Sequence, residues 1–333
     1  MSALVLKAGL LSTLQDSGRP GHAALGVGRA GAMDLPAWQL ANALVGNAAG
    51  EAALEFTLVG PTLRFDSAVT IALTGAVPDA RVGEQRLPGW TGCRLPAGSV
   101  LRLGGMAQGC RGYLAISGGF AAAPVLGSRS TDLHAGLGPF DGRALREGDP
   151  LVIGDSASRQ AWPSTDQLHV LPWSLDPRPW FDPLPTPDQA ALALLPGTHT
   201  EQLEATSLQA LYGQPFKISK DANRTASRLD GHHLKLRQPL ELVSEAALPG
   251  TVQLPPSGQP IVLLAEAPVT GGYPRIGQLA AIDLPRLAQR RPGDTVCFRA
   301  CTLEQAQQRL AAQRQRLGRL LAAIARRLAA DGY

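Results

Sequence analysis

The chain is expected to be mainly β, with two β-rich halves, a few short helices and a C-terminal amphipathic helix, and three observations carry that expectation. Glycine (37) and proline (27) make up about a fifth of the 333 residues, and so much turn chemistry suits short strands joined by tight loops better than a helical bundle. Short apolar runs recur between those turns, at Val69–Leu73, Tyr113–Ile116, Leu151–Ile153, Phe216–Ile218, Ile261–Leu264 and Val296–Phe298. The third observation is an echo between the halves. Ser117-Gly118-Gly119-Phe120 precedes Arg146-Glu147-Gly148-Asp149, and Thr270-Gly271-Gly272-Tyr273 precedes Arg291-Pro292-Gly293-Asp294.

Each remaining element has a local signal. His233-Leu234-Lys235-Leu236-Arg237 alternates at period two, as a half-buried strand does. Asp34 is a good N-cap for a helix over Leu35–Val45, with Pro36 in the first turn and Gly46 as the stop. Asp283 has the same place before Leu284–Arg290, which Pro292-Gly293 ends. From Leu303 to Leu328 the spacing of Leu303, Leu310, Leu317 and Ile324 predicts one amphipathic helix, docked on this chain or on a partner protein. Between 155 and 189 Ser, Asp and Pro accumulate around Trp173 and Trp180, which reads as a linker or a strap pinned by its tryptophans. The expected organisation is therefore 1–154 as an N-terminal half, 155–189 as linker, 190–300 as a C-terminal half and 301–333 as an Arg-rich helix.

Composition narrows the function classes. The formal charge is +4, but residues 302–333 hold six arginines against Glu304 and Asp331, so the body of the chain is balanced. Nucleic-acid binding needs a basic face on the folded body, and none is expected here. No stretch approaches 18 uninterrupted apolar residues and no signal-peptide run opens the chain, so the expectation is a cytoplasmic protein with no membrane partner. Cys93, Cys110, Cys297 and Cys301 form no Cys-x-x-Cys pair, and the six histidines have no ligand spacing, so no metal is expected.

Several motifs fail on context. Gly26-Val27-Gly28-Arg29-Ala30-Gly31 fits a dinucleotide fingerprint only in letters, because no buried strand precedes it. The lysines are 7, 217, 220 and 235. None follows a glycine, which excludes a P-loop, and none follows a methionine, which removes the usual biotin attachment pair. What remains are two glycine-rich segments bearing polar groups. Gln15, Asp16 and Arg19 offer an amide, a carboxylate and a guanidinium in one turn, and arginine suits bidentate binding of a carboxylate. Thr270, Gly271, Gly272 and Tyr273 leave backbone amides uncovered beside a phenol, as a site for a developing oxyanion requires. By spacing alone, both segments are equally tight turns of a β-rich protein.

Taken together, these segments resemble a known family. The run from Gln15 through Gly31-Ala32-Met33-Asp34 to Asn42-Ala43-Leu44-Val45-Gly46-Asn47, with Leu54-Glu55, Gly60-Pro61 and Leu126-Gly127-Ser128-Arg129-Ser130-Thr131, is similar to the N-terminal half of allophanate hydrolase subunit 2 proteins, a biotin-dependent carboxyltransferase family. Val252-Gln253-Leu254-Pro255-Pro256-Ser257-Gly258-Gln259-Pro260 and Thr270–Pro274 resemble its second half, so the likeness runs over roughly residues 4–299. It implies cyclophilin-like β-barrel character. Among the family's activities, a free-standing chain of this length is nearest the third (C) component of bacterial ATP-dependent 5-oxoprolinase, which implies opening of 5-oxoproline to glutamate. It also implies two partners: a homologue of allophanate hydrolase subunit 1, which is the B component of 5-oxoprolinase, and the A component. ATP would be used by the complex and bound mainly elsewhere, and biotin would not be attached to this chain. The carboxyltransferase component of a urea carboxylase is the second implied activity, and a non-catalytic regulator of a kinase-inhibitor-like partner the third. The implied site takes Asp16, Glu266 and Tyr273 as catalytic groups. Gln15, Arg19, Arg224, Arg228, Thr270, Gly271 and Gly272 would hold substrate. One departure stands out: the family's Arg-Met-Gly-Tyr-Arg-Leu is Arg224-Thr225-Ala226-Ser227-Arg228-Leu229 here.

Overall fold

The computed structural model describes residues 1–155, 167–180 and 191–332. The chain divides into two compact units. The first holds the described residues of 1–19, 34–182 and 316–333; the second holds those of 20–33 and 183–315. The expected linker falls partly outside the described residues, at 156–166 and 181–189.

In the first unit the strands are, in chain order, β1 (Ser2–Lys7), β2 (Ser12–Gln15), β3 (Ala53–Thr57), β4 (Thr62–Phe65), β5 (Val69–Gly75), β6 (Pro78–Val82), β7 (Gln85–Arg86), β8 (Gly92–Leu95), β9 (Val100–Met106), β10 (Arg111–Ile116), β11 (Pro150–Val152) and β12 (His169–Val170). They form two six-stranded sheets, β11-β1-β4-β9-β6-β7 and β12-β8-β5-β10-β3-β2. The inward residues of both sheets make one core around Phe56, Phe65, Leu63, Ile71 and Leu114. Helix α1 (Leu35–Leu44) starts where expected, with the Asp34 carboxylate accepting from the Ala37 amide at 3.1 Å. Residues 167–180 are tied to β8: the Thr91 hydroxyl donates to the Trp173 carbonyl at 2.7 Å, and Trp173 Nε1 donates to Asp331 at 2.8 Å. Arg316 lies 5.5 Å from the Trp180 ring centre.

The second unit closes a barrel. Its strands are β13 (Ala191–Pro196), β14 (Phe216–Ile218), β15 (Ala226–Asp230), β16 (Glu245–Ala246), β17 (Thr251–Gln253), β18 (Ile261–Leu263), β19 (Thr270–Gly271), β20 (Arg275–Leu279) and β21 (Thr295–Ala300). The barrel order is β13-β20-β17-β18-β15-β14-β21, and β16 with β19 forms a separate two-stranded ribbon. Val252, Val262, Leu229, Ile276 and Phe298 fill the interior. Because side chains alternate across a strand, their neighbours Gln253, Ile261 and Arg228 face outward. Helices α2 (Ala205–Gly213) and α3 (Leu284–Ala288) flank the barrel strands in sequence.

The helix at the C-terminus, α4 (Leu303–Ala330), docks on the chain's own body, as its periodicity suggests. Within the second unit, Arg309 reaches the buried Asp283 carboxylate at 3.3 Å. Within the first, Leu317, Ile324 and Leu328 are buried, and Leu321, Ala325 and Leu328 line a cavity of ≈ 260 Å³ with Trp38 and Asn42. Among the described residues no helix is long and apolar enough to cross a membrane.

Two local expectations fail, each for a physical reason. His233–Arg237 keeps its burial alternation but is not a ladder strand. Its amides go to three different segments, Leu234 to the Gly258 carbonyl, Lys235 to Ser207 Oγ and Arg237 to the Gln202 carbonyl. Asp283 does precede α3, yet it does not cap it. Its carboxylate instead accepts from the Ala193 amide at 2.9 Å, Arg286 at 2.8 Å and Arg309. Burial of an unpaired carboxylate would be costly, and two guanidiniums resolve it.

Truncating Ile324, which is 2% exposed, to alanine should cost about 2–4 kcal/mol. Leu303→Ala, at a position 56% exposed, should change stability by under about 0.5 kcal/mol. Urea denaturation of the two variants checks the contrast.

Candidate functional site

Strand β2 delivers Gln15 into the first unit's interior, and the chain turns at once through Asp16 and Gly18, whose φ is 84°. Asp16 is buried and its carboxylate is surrounded by donors. One oxygen accepts from the Gly18 amide at 2.8 Å and from the Ser128 and Ser130 hydroxyls at 2.6 Å each. The other accepts from the Arg129 amide at 2.6 Å. The buried Arg19 donates to the Ser130 carbonyl and, at 3.5 Å, to that of Val125, with Asp132 3.9 Å away. Gln15 Nε2 donates to Thr13 Oγ1 and to the Thr131 carbonyl, at 3.0 and 2.9 Å. All three residues therefore grip one segment, 125–132. The two sequence motifs that contain these groups are one structural clamp. A carboxylate with four donors is held in place, with its oxygens already engaged by the protein.

That segment leads into strained backbone. Phe140, Asp141 and Gly142 are consecutive left-handed residues, at φ 55°, 57° and 69°, and each non-glycine there costs about 1–2 kcal/mol. Glycine is required at 142, because a Cβ would lie 2.1 Å from the Gly136 carbonyl carbon.

A second buried network involves residues that the motif reading passed over as site groups. The Tyr113 phenol donates to Glu55 at 2.7 Å and accepts from the Asp34 amide at 2.8 Å, fixing the start of α1. Burial first, then the charges of Glu55 and Asp34, push the Tyr113 phenol well above its ordinary value.

In the second unit the expected residues separate into a buried pair and an accessible group. Arg224 Nε donates to the Glu266 carboxylate at 2.5 Å, both side chains are buried, and Arg224 also donates to the Gly31 carbonyl at 2.7 Å. This ion pair holds the 20–33 segment on its own unit. Arg228, two residues into β15, is exposed on the outer face of the barrel. Thr270 and Gly271 lie in the ribbon that pairs Glu245 with Gly271. Tyr273 is 46% exposed and, with Gly272, Leu242, Leu254 and Pro255, lines an open groove of ≈ 660 Å³.

Gln253 lies in the Val252–Pro260 motif, but the motif reading gave it no role in the site. It is only 6% exposed, and its Nε2 sits 2.4 Å from where a Cβ on Gly271 would be. Among the described residues its carboxamide has no hydrogen-bond partner. A cue existed in the sequence: a lone polar residue between Val252 and Leu254, directly before Pro255-Pro256.

Residues 25–300 match the family model described as "Carboxyltransferase domain, subdomain A and B". The chain belongs to that family. The carboxyltransferase match agrees with the resemblance read from the motifs. The chain is 40% identical over 304 residues to the Escherichia coli (strain K12) protein named as the C component of 5-oxoprolinase, covering 91% of this chain and 92% of that one. A protein of the same name from Haemophilus influenzae is 35% identical over 295 residues, covering 89% and 90%. The crystal structure of the Kluyveromyces lactis urea carboxylase matches with a TM-score of 0.84 at 26% identity, over 95% of this chain but 29% of that one. This chain thus spans under a third of the solved carboxylase.

Removing one partner of the Arg224–Glu266 pair leaves a buried charge. Arg224→Ala should cost about 3–5 kcal/mol in chemical denaturation, and the Arg224→Met/Glu266→Leu double variant should recover much of that loss. The Tyr113 phenol should stay protonated in the folded protein at the pH, about 10, where a free phenol ionises. Its folded value is raised, so its contribution is complete below the unfolded value and is lost as pH rises above about 10. Tyr113→Phe should flatten that alkaline decline, read as thermal stability against pH.

Proposed function

We propose that this chain is the carboxyltransferase-family component of an ATP-dependent 5-oxoprolinase that opens 5-oxoproline to L-glutamate. The observation that carries the reading is the near end-to-end match, at 40% identity, to a free-standing relative of that name. Partners equivalent to the B and A components complete the enzyme, and the complex works in the cytoplasm, where ATP is supplied.

In this reading the chain's own residues divide their tasks by accessibility. In the second unit Arg224 and Glu266 are buried and engaged with each other, and in the first Gln15, Asp16 and Arg19 are buried and engaged with the 125–132 segment. Arg228, Tyr273 and the Thr270–Gly272 backbone are open to a ligand. Ring opening adds water across an amide carbonyl, and the oxygen gains negative charge before the C–N bond breaks. Backbone amides of Gly272 and Tyr273 and the Tyr273 phenol suit that charge. The Thr270–Tyr273 loop is not built to cradle a phosphate. Gly271 and Gly272 have no left-handed φ, so they form no phosphate-binding nest, and no lysine follows a glycine. In this reading the nucleotide is bound mainly by the partner proteins, and biotin is not attached to this chain.

A second reading has a specific observation behind it. A putative urea carboxylase of Emericella nidulans is 33% identical over 314 residues, although this chain covers 24% of it. A urea carboxylase component would depend on bicarbonate and a biotinylated partner.

The deciding experiment is ATP hydrolysis by the reconstituted three-component complex. Hydrolysis should depend on 5-oxoproline, and should lose that dependence when this chain is left out. Activity that requires urea and bicarbonate instead would favour the second reading.

A further inference from the structure

The ladder registers of the barrel set four outward residues in one row across adjacent strands: Arg228 opposite Ile261, Ile261 opposite Gln253, and Gln253 opposite Arg275. Their strand neighbours Leu229, Val262, Val252 and Ile276 fill the interior, which fixes the row on the outer face. Arg275 is already committed. It pairs with Glu245 and donates to the Ala246 carbonyl at 3.1 Å, tying the β16–β19 ribbon to the barrel. That ribbon lays Gly271 against the Gln253 amide, a contact which any side chain at 271 would displace. Beside it, Ile261 joins Leu263, Ala226, Ala247 and Ala267 in a small apolar cluster on the same face. Arg228 ends the row, exposed and free of any recorded ion pair among the described residues.

The Gln253 side chain makes no hydrogen bond among the described residues, and its carboxamide atoms are not sealed from solvent, so they are available to a ligand that supplies the hydrogen bonds. Gln253 offers one acceptor and two donors, the complement of an amide's N–H and C=O. The row then runs from an amide-reading group, over an apolar floor, to an arginine whose backbone lies two strand spacings of ~4.8 Å away. We propose that Gln253 is the amide-recognition residue of this chain. It pairs with the ring amide of a cyclic amide seated beside Thr270–Tyr273, while Ile261 underlies the ring methylenes and Arg228 takes the ligand's carboxylate. The assignment of the carboxylate rests on the 5-oxoprolinase reading above; that of the amide stands without it.

Two measurements separate them. In the reconstituted complex, Gln253→Glu, which keeps the side-chain shape, and Gln253→Ala should raise KM for 5-oxoproline about tenfold, with kcat changed less. With the full chain alone, calorimetric titration compares 5-oxoproline with 2-pyrrolidinone, which has the ring amide and no carboxylate. Both Gln253 variants should weaken both ligands, and Arg228→Ala should weaken 5-oxoproline only. A wild-type KM and wild-type affinities in Gln253→Glu would overturn the proposal while leaving the function intact. If the wild-type complex hydrolyses no ATP in response to 5-oxoproline, the functional reading fails. The site is then decided by 2-pyrrolidinone, whose Gln253-dependent binding sustains it and whose failure to bind the wild-type chain refutes it.

Discussion

A carboxylate removed from water has to find donors, and much of this protein's loop structure follows from where its buried carboxylates find them. With aromatics at 5% and charged residues at 17%, large rings hold few loops in place. Asp16 draws the 125–132 segment onto the end of β2 through two hydroxyls and an amide. Asp283 draws in the β13 amide of Ala193 and the first turns of α4 through Arg309. Glu266 holds Arg224, which in turn holds Gly31. Each anchor is local in energy yet long in sequence, so losing one releases a segment rather than a contact.

The glycine motifs show how much of such structure a sequence can disclose. The two Arg-x-Gly-Asp segments fold alike: Asp149 and Asp294 each accept from the amide of their arginine, at 2.7 and 2.8 Å, around glycines at φ 87° and 88°. The bonds that close each turn, arginine amide to aspartate carboxylate and aspartate amide to arginine carbonyl, are between near neighbours, so the four letters suffice for its shape, while Gly148 and Gly293 donate onward to the Val5 and Ile218 carbonyls. The other half of the echo does not hold. Gly118 and Gly119 are left-handed turn residues, whereas Gly271 and Gly272 are not. At 271 the glycine answers to the Gln253 amide, and at 272 to the Leu242 carbonyl 3.3 Å from its Cβ position. Those approaches come from segments distant in sequence, which a local motif does not encode.

The site was legible in the same partial way. Polar residues in a glycine-rich turn signal importance, and Gln15, Asp16 and Arg19 do cluster with each other and with the Leu126–Thr131 motif. Their depth was not legible, because burial depends on the sheet stacked above them. Depth sets these groups against the protein's own 125–132 segment. The reverse held for Gln253, which in sequence is one polar letter of the Val252–Pro260 motif with no site role attached to it. Only the register of β17 against β18 and β20 reveals that it shares a face with Arg228.

That register also explains what the family departure at 225–227 touches. In β15 the side chains alternate, so Ser227, opposite Val262, points into the barrel with Leu229, while Ala226 and Arg228 point out. Of the two strand positions that differ from the family's usual Gly-Tyr, one is thus an interior packing change. The other adds a methyl group to the outer apolar cluster with Ile261 and Leu263. The two retained arginines are not equivalent either. Arg224 precedes the strand and is buried against Glu266, whereas Arg228 stands in the strand and faces solvent. A change that removes the segment's usual core therefore leaves the outward row of Arg228, Ile261 and Gln253 in place, because a period of two sends neighbouring residues to opposite sides of the same wall.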